Sequence, residues 1–336
     1  MQQVLEDIAN GNNINLGTTN FSEEAELLSA LFHAAKHNNV LAASSILEND
    51  IIKINSANGS GENVFHIAAQ YSSLDTLKFF IEKCDALQKQ QYINAVTSTS
   101  ENVLHFAARG AYRDVDVFKY LLTIGAKINV NMQNTANGKT CLHYAYENES
   151  IDLKKLSQIA QYLVNDHSFN AKKGIDAHGR NLLHYAAHRH YDTSVFETLL
   201  NFGIAVNAFD GFGKTALYYA LCKFQKIFLE LWLTRSKVNK KVSAVDFLLK
   251  HGANPMLCNG LHLAVRNADY DYASFTQILQ HKQTIVDFCD DNGRNALFEI
   301  SKLRDSETTI KVLHALLEKG VSLVATDLNG RTVLHE

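Results

Sequence analysis

Polar and apolar positions along this chain follow one short pattern that returns nine times. A polar residue comes first, then two apolar ones, usually a histidine, then an apolar or aromatic residue and alanine. The clearest copies begin Asn63-Val64-Phe65-His66, Asn102-Val103-Leu104-His105, Thr140-Cys141-Leu142-His143 and Asn181-Leu182-Leu183-His184. Thr215-Ala216-Leu217-Tyr218 and Gly260-Leu261-His262 follow, with weaker copies at Ala30-Leu31-Phe32 and Asn295-Ala296-Leu297-Phe298 and a final start at Thr332-Val333-Leu334-His335. The histidine places are 32, 66, 105, 143, 184, 218, 262, 298 and 335, spaced by 34, 39, 38, 41, 34, 44, 36 and 37 residues. A period of that size, self-similar from end to end, predicts stacked helix pairs carrying insertions.

Each part of the pattern has a physical reading. Asn or Thr ahead of the apolar pair caps a helix, its side-chain oxygen accepting a free backbone N–H. Alanine pairs such as Ala68-Ala69 and Ala107-Ala108 make a thin face on which neighbouring helices approach closely. Leucine pairs downstream, Leu121-Leu122, Leu199-Leu200, Leu248-Leu249 and Leu316-Leu317, belong to a second helix filling the space between layers. The glycines after them, Gly125, Gly203, Gly252 and Gly320, end that helix in a left-handed residue.

These residues resemble the ankyrin-repeat family, whose motif is T-P-L-H-x-A-A. The likeness runs from about residue 27 to 336. It extends to the family's D-x-x-G hairpin at Asp176, Asp210, Asp290 and Asp327 and to its L-L-x-x-G-A at Leu121 and Leu248. It implies an all-α fold, an ankyrin-repeat solenoid of stacked helix pairs with short β-hairpin fingers. The expected organisation is a capping segment at 1–26, repeats one to eight over 27–331, and the start of an incomplete ninth repeat at 332–336, with the chain a fragment of a longer protein. One departure is systematic: the family's proline after the cap is replaced by Val64, Val103, Cys141, Leu182, Ala216, Ala296 and Val333. That change predicts less rigid helix starts.

Two irregularities fall together. After Leu221 the leucine pair arrives late, and the inserted stretch, about 222–243, has Phe224, Ile227, Phe228 and Leu231 at helical spacing. It also carries Lys223, Lys226, Arg235, Lys237, Lys240 and Lys241 against Glu230. It is either a solvated basic helix and loop or a docking surface for an acidic or phosphate-bearing partner. Just beyond it, Gly252 to His262 is ten residues, where Gly203 to Tyr218 and Gly320 to His335 are each fifteen. That shortfall predicts a missing finger.

Composition narrows the class. The chain is 46% hydrophobic and 20% charged, the balance of a folded protein rather than a disordered one. A formal net charge of −3 gives no global attraction to nucleic acid. No basic-then-apolar leader opens the chain, and no apolar run reaches the roughly 20 residues of a membrane helix. Five scattered cysteines without a CxxC pair fit a reduced, cytoplasmic setting. A single proline amid many Asn, Lys, Ile, Phe and Tyr points to AT-rich codons and a low-GC bacterial source.

The chemical motifs dissolve on inspection. In the family the repeated imidazole joins helix to hairpin, so the histidines are expected to be structural. His184 and His188 share a helix face but lack the Glu of HExxH. Gly213-Lys214-Thr215 ends like a phosphate loop, but Ala208 stands where its first glycine is needed. There is no G-x-S-x-G elbow. No cofactor, metal or catalytic residue is expected in this chain.

Function therefore rests on a surface. In ankyrin repeats partners usually meet hairpin tips and first helices. Carried onto this sequence, that face holds His178 and Arg180, then His188, Arg189 and Tyr191, then Phe209, Phe212 and Lys214, with Lys240 and Lys241 from the insertion. The two phenylalanines either anchor a partner or pack on the neighbouring finger. The expected activity is a protein-binding scaffold for an acidic partner with an apolar patch, a bacterial effector acting on a host protein after translocation without a classical signal peptide. The rival readings are a targeting module for an enzyme beyond residue 336 and recruitment to lipid through the basic insertion.

Overall fold

The computed structural model describes residues 2–14, 24–48, 51–111, 115–124, 127–148, 150–189, 193–222 and 244–336. Tyr191, Lys240, Lys241 and nearly all of the basic insertion lie outside them. Contacts divide the chain into two units, Met1–Ala177 and His178–Glu336.

The first unit pairs α2 (Glu24–Lys36) with α3 (Val40–Leu47), α4 (Val64–Gln70) with α5 (Leu74–Glu82), α7 (Val103–Gly110) with α8 (Asp116–Thr123), and α9 (Cys141–Glu147) with α10 (Leu153–Asp166). Two helices stand outside that pattern, and the sequence reading had neither. α1 (Gln2–Ala9) buries Val4 and Ile8, and the Asn39 amide donates to the Ile8 and Asn12 carbonyls. α6 (Ala86–Ile93) begins at a reciprocal cap between Asp85 and Gln88 and accounts for the lengthened spacing between the second and third histidines.

The second unit pairs α11 (Leu182–Arg189) with α12 (Thr193–Asn201), α13 (Ala216–Cys222) with α14 (Ala244–Lys250), and α15 (Gly260–Arg266) with α16 (Tyr272–Gln280). A 3-10 helix, Ala296–Lys302, then pairs with α17 (Ser306–Glu318), and a short 3-10 turn, Val333–His335, starts again. Among the described residues no helix is long and apolar enough to cross a membrane.

The helix starts show why asparagine replaces threonine so often. Asn102 Oδ1 accepts from Leu104 N–H at 3.1 Å, as a threonine hydroxyl could. Its amide also donates to the Asn129 carbonyl at 2.8 Å, on the chain leading to the next finger. Asn63 reaches Tyr92 and Asn295 reaches Ser322 in the same way. The position after the cap, where the family has proline, is buried in Val64, Val103, Cys141, Leu182, Ala216 and Ala296. These residues exchange a preset φ for core burial, worth roughly 0.8 kcal/mol per methylene removed from water. Gly203, Gly252 and Gly320 end their helices at φ 77°, 90° and 85°.

The interior is aromatic and aliphatic. Phe65 meets Phe80 edge-on in the first unit, with Leu77, Phe118 and Tyr146 fully buried. In the second, Phe196 and Phe247 stack at 5.7 Å, with Phe275, Ile278, Val312 and Leu316 buried.

Candidate protein-binding face

The fingers are tight turns pinned by one side chain. Asp210 Oδ1 accepts from the Phe212 and Lys214 N–H groups at 2.9 and 2.8 Å, and the turn closes through Asp210 N–H to the Lys214 carbonyl. Asp290, Asp327, Asn58 and Asn134 act alike, each a short polar side chain holding its own backbone. The hairpins are too short to form strands: among the described residues only isolated bridges such as Ala57 to Asn63 occur.

Successive fingers are joined tip to tip. In four of the fingers the residue after the pinning side chain donates its N–H to a carbonyl on the preceding tip: Ser98 to Ser60 and Thr135 to Thr99 at 2.9 Å, Gly211 to His178 at 2.7 Å, Leu328 to Asn292 at 3.0 Å. The histidines link helices into this row. Nδ1 of His105 and His184 accepts the N–H of their own cap residue at 3.2 and 3.1 Å. Nε2 then donates to the Lys139 and Lys214 carbonyls on the next finger, as His262 does to Arg294 at 2.7 Å. Both ring nitrogens of His105 and His184 are thus engaged in holding the repeat together, the expected structural role. Burial lowers His105 from its ordinary value and takes His66 down to about 4.

On the fingers of the second unit, His178 and Phe212 stack across neighbouring tips with centroids 5.7 Å apart. The stack shows Phe212 packing on the neighbouring finger, and the ring remains 66% exposed. Phe209 is also exposed and stands outside the stack. Below the tips, the Arg180 guanidinium lies 5.0 Å over the Tyr185 ring and donates to its hydroxyl. The Lys214 ammonium lies 4.6 Å over Tyr218. His188 is exposed and meets Tyr219 edge-on, and Arg189 is half-buried in the last turn of α11. The Tyr219 hydroxyl donates to Asp210 Oδ2 at 2.6 Å. Burial alone would raise the Asp210 carboxyl, but that bond and the two backbone donors hold it below its ordinary range. Tyr191, Lys240 and Lys241 cannot be placed here, lying outside the described residues.

The sequence reading missed the floor of this face. The residue after the histidine place is Tyr144, Tyr219 or Glu299 in three of the repeats, and the residue it meets stands four places after the histidine place of the repeat before. Arg109 lies 4.1 Å over Tyr144, and His188 meets Tyr219. Arg266 donates twice to Glu299, at 2.7 and 2.8 Å. In the first unit Glu101 is buried and takes hydrogen bonds from Arg109, Asn134 and Tyr144. Burial would raise its carboxyl, and those donors outweigh the burial and lower it. Aligning the copies column by column carries that signal; reading only the motif does not.

Comparison with known proteins decides the family. Profiles described as ankyrin repeats match residues 31–81, 84–173 and 152–259. The chain belongs to the ankyrin-repeat family. Ankyrin repeats are protein–protein interaction modules. A search of curated proteins finds no match. Among solved structures, a chain from the complex of the predatory endopeptidase Bd0816 of Bdellovibrio bacteriovorus with immunity protein Bd3460 is 20% identical. The match covers 62% of this ankyrin chain and 97% of that one at a TM-score of 0.45, a likeness too slight to bear on function.

Proposed function

We propose that this ankyrin array is a scaffold that holds an acidic, partly apolar protein on the fingers and first helices of its fifth and sixth repeats. The observation that carries the reading is the exposed His178–Phe212 stack, flanked by Phe209 and by the cations of Arg180 and Lys214. Exposed aromatics beside cations are the composition that binding hot spots favour, and large exposed rings cost solvation unless something covers them. Both cations lie over tyrosine rings, which fixes their direction and lowers the entropy lost on docking. The codon bias implied by the composition supports a bacterial effector and a host-cell protein as the partner. The burial of Val4 and Ile8 supports residues 1–26 as the closing segment of the stack.

The test is paired affinity capture from host-cell lysate with the native chain and a Phe209→Ser, Phe212→Ser double variant, followed by titration calorimetry of the captured protein. The double change is expected to weaken binding at least tenfold with the thermal melt unchanged. Equal affinity for both chains would move the interface elsewhere.

A further inference from the structure

The row of fingers in the second unit is interrupted while its helices are not. α15 sits in the stack: the Asn267 amide donates to Leu221 on α13, and His262 donates to Arg294 at the start of the next first helix. Yet the chain between Gly252 and α15 makes no finger. Asn254 caps a 3-10 turn, Pro255–Cys258, and Asn259, at φ 50°, turns the chain directly into the helix. Leu257, a third exposed, lies in that turn.

Two open ends remain. In the tip-to-tip row the carbonyl before the hairpin glycine accepts and the residue after the pinning side chain donates. In repeat six the acceptor is the Phe212 carbonyl, and in repeat eight the donor is the Asp291 N–H. Among the described residues no hydrogen bond reaches either. The glycines give the same result independently. A Cβ on Gly179 would stand 2.8 Å from Gly211 N, and one on Gly293 would stand 3.3 Å from Leu328 N, because the next finger is there. A Cβ on Gly213 would meet nothing within 4 Å. Helix layers lie about 10 Å apart, so fingers six and eight bracket a slot one finger wide. Phe212 and Asp291 form its rims. Lys214 stands beside its floor, close enough to the buried Cys258 thiol to oppose the rise that burial imposes. The Lys214 ammonium, set over Tyr218, makes no ion pair with a carboxylate among the described residues.

We propose that this slot receives a tight, acidic turn of the bound protein, which supplies the missing rung by donating to the Phe212 carbonyl, accepting from the Asp291 N–H and placing a carboxylate against Lys214. The inference rests on the reading that this chain holds a protein, and it names what that protein presents. The shape required is that of a D-x-x-G finger, because both edges of the slot are finger edges. The charge required is negative, because Lys214 is the cation at its floor.

The probe is a cyclised, fluorescein-labelled hairpin peptide with an Asp-Asp-Asn-Gly turn, titrated by anisotropy against the full chain. Saturable binding is expected, weakened at least tenfold by Lys214→Glu. It should be abolished when Pro255–Cys258 is replaced by a copy of residues 286–294, which restores the fifteen-residue spacing and fills the slot. Amide hydrogen exchange supplies a readout independent of that graft. In the free chain Asp291 should exchange far faster than Gly211 and Leu328, and the peptide should slow it. No binding, binding indifferent to Lys214→Glu, or an Asp291 amide as slow as Gly211 in the free chain overturns the proposal. The captured protein separates the two readings. If it loses affinity for the Phe209→Ser, Phe212→Ser chain but binds the grafted chain normally, the scaffold reading stands and the slot falls. If it binds both normally while the peptide occupies the slot, the fingertip reading falls alone.

Discussion

The Nε2 of His184 stands 3.1 Å from the Lys214 carbonyl, so the first helix of the fifth repeat is tied to the finger of the sixth by one imidazole. The same ring accepts the Asn181 N–H, so both of its nitrogens are committed within a buried site. His184→Ala leaves a buried N–H and a carbonyl unmet, at a cost of about 1–3 kcal/mol each way the loss is shared. Urea unfolding should show the native chain more stable by that order. Added zinc should leave the melting temperature of the native chain where it was; a large rise would mean that these histidines bind metal.

Acid should unfold the first unit through its buried histidines. His66 is held down to about 4 by burial, against an ordinary value of 6.5. Between those values the unfolded chain binds a proton that the folded chain does not, so stability falls as pH drops from about 6.5 towards 4 and is unaffected by this group above that window. The full difference is about 3 kcal/mol for His66, with His105 adding in the same direction. Unfolding free energies measured at pH 7 and pH 5 should differ, and His66→Gln should remove much of the difference. A flat profile would show that these rings are not buried neutral.

Ser100 takes the place of the hairpin glycine in the third finger at φ 59°. A left-handed conformation costs a non-glycine residue about 1–2 kcal/mol, and glycine gives back part of that in unfolded-state entropy. Ser100→Gly should therefore stabilise the chain by about 1 kcal/mol, read as a shift of the denaturation midpoint at constant slope. A destabilised variant would show that the serine has a role that its backbone does not.

Core and fingertip should respond to very different degrees. Leu183 is 1% exposed on α11, and Leu183→Ala should cost about 2–5 kcal/mol. Phe212→Ser, at 66% exposure, should lose only part of its contact with His178 and shift stability by less than about 1 kcal/mol. Thermal melts of the two single variants check both values together; a Phe212 variant as damaged as the Leu183 one would make that ring a structural element.

Glu101 provides a last contrast. It is buried beneath Arg109 and receives Asn134 and Tyr144 as well. Glu101→Ala strands three donors and should cost about 2–4 kcal/mol, because a broken buried pair leaves an uncompensated charge. The double variant Glu101→Ala, Arg109→Ala should recover part of that loss in a mutant cycle.

The fold was legible because each ankyrin repeat is local. A cap, an alanine face, a leucine pair and a closing glycine all lie within one period, and nine copies reinforce one another. The same spacing located the missing finger, since ten residues cannot span what fifteen do elsewhere. The sequence also placed His178, Arg180, Phe209, Phe212 and Lys214 on fingers and first helices. What it could not decide were contacts between repeats. That Phe212 leans on His178, that Arg109 covers Tyr144 and that Glu299 receives Arg266 depend on side chains about 30 residues apart meeting across a layer. Nor does the motif show that Asn102 spans to Asn129, which explains asparagine in the threonine place. The open carbonyl at Phe212 and the open N–H at Asp291 are further still from the sequence. They exist only because the helices of repeat seven stay in register while its finger is gone, and register between layers is a property of packing, which no single repeat encodes.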